Sequence, residues 1–69
     1  MDEKTIKAFE ELIAGSEAAA AKALRKLAKA VESGDSLLIH EAFNEWNMFD
    51  EQFVAQSSTF EILKEEFGF

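Results

Sequence analysis

Glu32-Ser33-Gly34-Asp35-Ser36 is the stretch that decides the fold of this 69-residue chain. Gly34 suits the left-handed conformation that follows a helix end, and Asp35 and Ser36 are side chains that cap helix starts. The segments on either side are long, helical in their periodicity and free of proline. A helix–turn–helix path is therefore predicted, with the turn at 33–36.

Upstream, residues 5–33 read as a helix at 100° per residue, with Ala20 as origin. Ile6, Phe9, Ile13, Leu24, Leu27 and Val31 then lie within about 40° of that origin. The stripe keeps its phase across Gly15, which predicts one continuous helix over 5–33 despite a local cost of about 1 kcal/mol for the glycine. Asp2 or Thr5 is placed to cap its start. Such a helix is about 29 residues and roughly 43 Å long.

Downstream, Leu38, Ile39, Ala42, Phe43, Trp46, Phe49, Phe53 and Val54 recur at spacings of three and four, predicting a second helix over 36–56. So short a turn dictates an antiparallel hairpin. The partners are complementary in size: the first helix offers alanines at 18–21, 23, 28 and 30, and the second offers aromatic rings. Ser58-Thr59-Phe60-Glu61 matches a capping box ahead of Phe60, Leu63 and Phe67, with Gly68 placed to end the segment. Residues 59–67 are thus expected to form a short third helix or an extension of the second.

The chain is expected to be one all-α domain over 1–69, too small to build a large core. Without cysteine it has no disulfide or thiolate metal staple. A lone hairpin leaves one side of each apolar stripe wet, so two hairpins are expected to pack as a homodimer resembling a four-helix bundle. Phe9, Ile13, Leu24, Leu27, Val31, Ile39, Phe43, Phe49 and Phe53 are the expected core and dimer residues. Hydrophobic residues make up 48% of the chain, too many for intrinsic disorder. No apolar run nears the ~20 residues of a membrane span. Asp2, Glu3 and Lys4 replace the basic start of a signal peptide. Together these predict a cytoplasmic product that does not engage membranes.

Charge is unevenly distributed. Residues 1–34 balance six acids against six bases, while 35–69 carry eight acids against Lys64 alone, so the whole net charge of −7 lies in the second half. That half also holds Trp46 and six of the seven phenylalanines. An acidic surface interleaved with aromatics suits a basic protein partner and repels nucleic acid.

Nothing in the sequence assembles catalytic chemistry. There is one histidine, no cysteine and no tyrosine. His40 lacks the Glu-x-x-His spacing of di-metal bundles, because position 37 is leucine. Glycine-rich phosphate loops are absent. No enzyme activity, cofactor or metal site is predicted. Lys22, Arg25, Lys26 and Lys29 form a basic stripe, expected to be the solvated face of an amphipathic helix and otherwise a phosphate or anionic-lipid contact.

The candidate partner-binding residues are Glu41, Glu45, Trp46, Met48, Asp50 and Glu51. Trp46 fits either the core or a partner contact, since tryptophan is rarely fully buried and favoured at interface hot spots. Asp50 projects onto the apolar face, either as an edge residue salt-bridged to a first-helix lysine or as a recognition carboxylate. Met48 and Leu37 point away from that face among Glu41, Glu45 and Glu51. A flexible methionine ringed by acids is a plausible anchor for a basic, partly apolar groove. Glu65-Glu66-Phe67-Gly68-Phe69 repeats the pairing of acid and aromatic at the end of the chain.

The size of the chain, its cysteine-free Ala-rich first helix, the Ser33-Gly34-Asp35-Ser36 turn and Phe43-Asn44-Glu45-Trp46-Asn47-Met48-Phe49-Asp50 together resemble the small phage-encoded anti-activators that silence quorum sensing. The resemblance implies a helical dimer that binds a LuxR-type transcription activator and prevents it from engaging DNA. It also implies a second candidate target, a pilus-assembly ATPase, blocked so that competing phages lose their receptor. It carries over no catalytic residue. Beside this inhibitor stand two other classes: a structural or assembly bundle that mainly self-associates, and a nucleic-acid-binding module using the basic stripe, which the net charge disfavours.

Overall fold

The structure is a computed structural model that describes residues 2–68. Two helices account for almost all of them: α1, Glu3–Ser33, and α2, Ser36–Phe67. Phe69, the last residue of the acidic aromatic tail, lies outside the described residues. The hairpin measures 48 × 16 × 12 Å, the long dimension being that of a single helix.

Each helix end is chemically closed. Asp2 caps α1 by accepting the Thr5 backbone N–H at 2.8 Å. That hydrogen bond holds the Asp2 carboxyl below its ordinary value of 3.8. The cap therefore contributes fully above that value and is lost as the pH falls through the lowered one. At the turn Gly34 takes φ 71° and donates its N–H to the Val31 carbonyl at 3.1 Å. Asp35 then caps α2, its Oδ1 accepting from the N–H groups of Leu37 at 3.0 Å and Leu38 at 3.2 Å. The first helix runs through Gly15 without a break, and a Cβ there meets nothing within 4 Å.

The seam between the helices follows a seven-residue repeat. On α1 it comprises Ile6, Phe9, Ile13, Ser16, Ala20, Ala23, Leu27 and Ala30; on α2, Ile39, Ala42, Trp46, Phe49, Phe53, Gln56, Phe60 and Leu63. Every one of these sixteen is buried or half-buried. Alternating steps of three and four define an antiparallel coiled coil. Three pairs fix the register, the residue number rising on one helix as it falls on the other. Phe9 stacks on Phe60 with ring centroids 5.9 Å apart. The Ser16 hydroxyl donates to Gln56 Oε1, and Lys26 meets Glu45 at 2.9 Å. Ala20, Ala23, Ala30 and Ala42 are buried, so methyl groups in the middle and turn-proximal seam let the backbones approach where the rings of Trp46, Phe49 and Phe53 pack.

At residues 57–59 α2 is helical and continues to Phe67, so there is no separate third helix among the described residues. A capping serine or threonine needs non-helical backbone. Here Thr59 sits inside the helix and turns its hydroxyl back to the Ala55 carbonyl at 2.9 Å. Continuing the helix keeps Phe60 and Leu63 in phase with Phe53 and Gln56, and among the described residues Phe60 is the one large side chain that is buried.

Three of the expected core and dimer residues stand outside the seam of the single hairpin. Leu24 is 50% exposed, Val31 56% and Phe43 50%, and all three lie beside the seam. A seven-residue repeat drifts about 20° per heptad from a 3.6-residue helix, so the seam has turned well away from Leu24 and Val31 by the end of α1. On α2 the seam centres near Ala42, Phe49 and Phe60, about 60° from the Ile39 origin, which leaves Phe43 at its edge.

The Ser16–Gln56 pair yields a stability prediction. Ser16→Ala strips a part-buried amide of its partner and should lower unfolding free energy by about 1 kcal/mol. Pairing it with Gln56→Leu should restore the loss in denaturant titrations, because both polar groups are then gone.

Candidate functional site

The coiled-coil register sorts the candidate residues by where they sit around α2. Glu41, Glu45 and Met48 share the flank on the Lys26 side of the hairpin, and Glu51 adjoins them on the outer surface. Met48 is 57% exposed, with Glu45 and Glu51 one turn to either side. Leu37, also exposed, lies one turn before Glu41 on the outer surface. Asn47, on the neighbouring outer strip, donates weakly to Glu51 at 3.5 Å.

Two expected members separate from this group. Trp46 occupies a half-buried seam position, its ring 5.7 Å from that of Phe43 and tilted by 54°. Asp50 is half-buried on the opposite flank, beside Phe43. Among the described residues it makes no ion pair, and the first-helix lysine that reaches α2 goes to Glu45 instead. The six candidates thus divide into one acidic flank holding Glu41, Glu45, Met48 and Glu51, one seam residue and one carboxylate on the far side.

That far flank has its own chemistry. Leu24, Val31 and Phe43 emerge there near the turn, next to the small side chains of Ala21 and Ala28 on α1. Val54 extends the apolar surface along α2. The two flanks of the hairpin are consequently unlike: one is acidic on α2 and basic on α1, the other apolar with Asp50 beside it.

Lys26–Glu45 is the ion pair that joins the helices, with side chains 65% and 39% exposed. Both residues line a cleft of about 310 Å³, together with Ala30, Leu38 and Ala42. Sequence reasoning missed this pair, as it missed Ser16 and Gln56 in the seam. The signal was present in the exact seven-residue spacing of Phe9, Ser16, Ala23 and Ala30, which a 100° projection blurs. Elsewhere, Lys64 lies over the Phe60 ring at 5.0 Å and meets Glu61 at 3.8 Å. No three potential metal-ligating side chains come together among the described residues, and no helix is long and apolar enough to cross a membrane.

No family model matches the chain, no curated protein matches it, and no solved structure matches its fold. On α2 the carboxylates of Glu41 and Glu51 and the Met48 thioether are exposed.

A double-mutant cycle with Lys26→Ala and Glu45→Ala should give a coupling energy below about 1 kcal/mol, as expected for an exposed pair, and the coupling should shrink at high salt. Thermal unfolding of the four variants measures it.

Proposed function

We propose that this chain is a non-catalytic inhibitory binding protein that engages a LuxR-type quorum-sensing transcription activator in the cytoplasm of a bacterial host and blocks its DNA binding. The observation carrying this reading is the acidic flank of α2, where Glu41, Glu45 and Glu51 surround exposed Met48. Among the described residues, Glu45 alone of these three has a cation partner. A DNA-binding domain exposes lysine and arginine placed to meet phosphates. Carboxylates on a rigid helix compete for those cations and steer association, while the methionine adds contact that salt does not screen. The likeness of the sequence to phage anti-activators names the class of target, and on the same likeness a pilus-assembly ATPase is a second target.

The active form in this reading is a homodimer. The hairpin exposes 5186 Å², against about 4,300 Å² for a compact monomer of its mass. The excess is comparable to the ~800 Å² that each partner buries in a standard interface. Leu24, Val31 and Phe43 on the far flank are the natural contact, and their burial would leave Glu41, Met48 and Glu51 free. The same apolar flank favours the alternative, a structural or assembly bundle that self-associates and has no host target.

Affinity purification of the tagged protein from a bacterial lysate separates these readings. Recovery of a DNA-binding regulator, whose operator binding the pure protein then inhibits, is the expected result; self-association without a specific partner favours the structural bundle. Charge reversal at Glu41 and Glu51 should slow association with the regulator at least tenfold and leave helicity unchanged. Light scattering at micromolar concentration should give twice the 7.7 kDa chain mass, and Phe43→Glu should return it to the monomer.

A further inference from the structure

The cations of α1 have no role in that reading, yet their arrangement is distinctive. Between Glu17 and Glu32 every charged side chain of α1 is basic: Lys22, Arg25, Lys26 and Lys29. All four are exposed on the outer surface and the Lys26-side flank. Lys26 is committed to Glu45, while Lys22, Arg25 and Lys29 make no ion pair among the described residues. Three uncompensated cations within eight residues therefore persist in a chain of net charge −7. Glu41 and Glu45 face this stretch from the other helix, and of the two only Glu45 pairs with one of its cations among the described residues.

An apolar furrow in two parts, divided where the Lys26–Glu45 pair crosses it, lies beside this ridge in the groove between the helices. Ala19, Ala23 and Phe49 line one part of it, and Ala30, Ala42 and Leu38 line the part nearer the turn. Its α1 wall is Lys22, Lys26 and Lys29; its α2 wall is Glu41 and Glu45. The two walls carry opposite charge. A phosphodiester backbone or an anionic bilayer presents negative charge to both and is repelled by the second.

We propose that this furrow and its basic α1 wall form a second docking surface, whose occupant is an amphipathic helix of a partner protein with carboxylates along one edge only. Its apolar residues lie on the alanine floor, and its acids, spaced over two turns at i, i+3 or i+4, and i+7, meet Lys22, Arg25 and Lys29. Charge complementarity selects both this occupant and its direction across the furrow. The furrow shares Glu41 and Glu45 with the acidic flank of α2, so the variants that test it are placed on the α1 wall and that of the acidic flank at Glu51.

The probe is a fluorescent 18-residue helical peptide with glutamates at i, i+4 and i+7 along one edge and leucines on the adjoining face. Anisotropy titrations compare the full-length protein with its Lys22→Glu/Arg25→Glu/Lys29→Glu variant, with circular dichroism as the check on folding. Lys22→Gln/Arg25→Gln/Lys29→Gln is the milder variant should the first lose helicity. The expected result is saturable peptide binding, weakened at least tenfold by the variant, retained after charge reversal at Glu51, and lost by a peptide carrying lysine in place of glutamate. Equal peptide affinity for wild type and variant would overturn the proposal. So would binding of a short DNA duplex or of phosphatidylserine vesicles that the same variant abolishes, or sedimentation showing that a second copy of the chain displaces the peptide from the furrow.

Discussion

Close contact between a helix of small side chains and a helix of aromatic ones is the constraint on which this molecule depends. With so few residues, the hairpin can bury apolar area only along one narrow seam. Ala20, Ala23 and Ala30 bring the α1 backbone close enough for the rings of α2 to fill the remaining space. Such a seam is poor in register information, because methyl groups accept a ring at several positions. Ser16 and Gln56 supply what the apolar residues do not. A slip by one heptad would leave both polar groups facing apolar neighbours, a cost of about 1–3 kcal/mol for each unpaired group. Polar pairs at seam positions specify register in this way in coiled coils generally.

The sequence makes the hairpin plain because its punctuation is unambiguous. Gly34 and Asp35 close one helix and open the next with side chains that have few other uses in that order, and the structure shows both in those roles. The capping-box motif at Ser58 is locally as good a signal, but local signals compete with burial. Holding Phe60 against Phe9 and Leu63 in the seam outweighs one alternative set of capping hydrogen bonds. That Leu24, Val31 and Phe43 stand outside the seam has a different source. Hydrophobicity identifies an apolar residue, while supercoiling decides which apolar residues meet the partner helix. A projection faithful over two turns loses its phase over eight.

The same twist explains why the candidate surface was only partly legible. Glu41, Glu45, Met48 and Glu51 share a flank, as their spacing implied, but Asp50 and Trp46 fall elsewhere once the seam is rotated toward Ala42 and Phe49. Glu45, moreover, is tied to Lys26. What remains is a molecule with two unlike flanks. One holds exposed apolar side chains near the turn. The other carries opposite charges on its two helices, divided by an apolar furrow. Helices this long and thin have little interior in which to hide chemistry, so their distinctions are expressed on surfaces.

Nuclear Overhauser contacts in a sample mixed from labelled and unlabelled chains test the seam most directly. The predicted result is Phe9–Phe60 ring contacts and Ser16–Gln56 side-chain contacts within one chain, with Leu24, Val31 and Phe43 showing no contact to the opposite helix of their own chain beyond their immediate seam neighbours. Phe9 contacting Phe53 or Phe67 in place of Phe60, or the same pairs found only between chains, would contradict the register from which both flanks are derived.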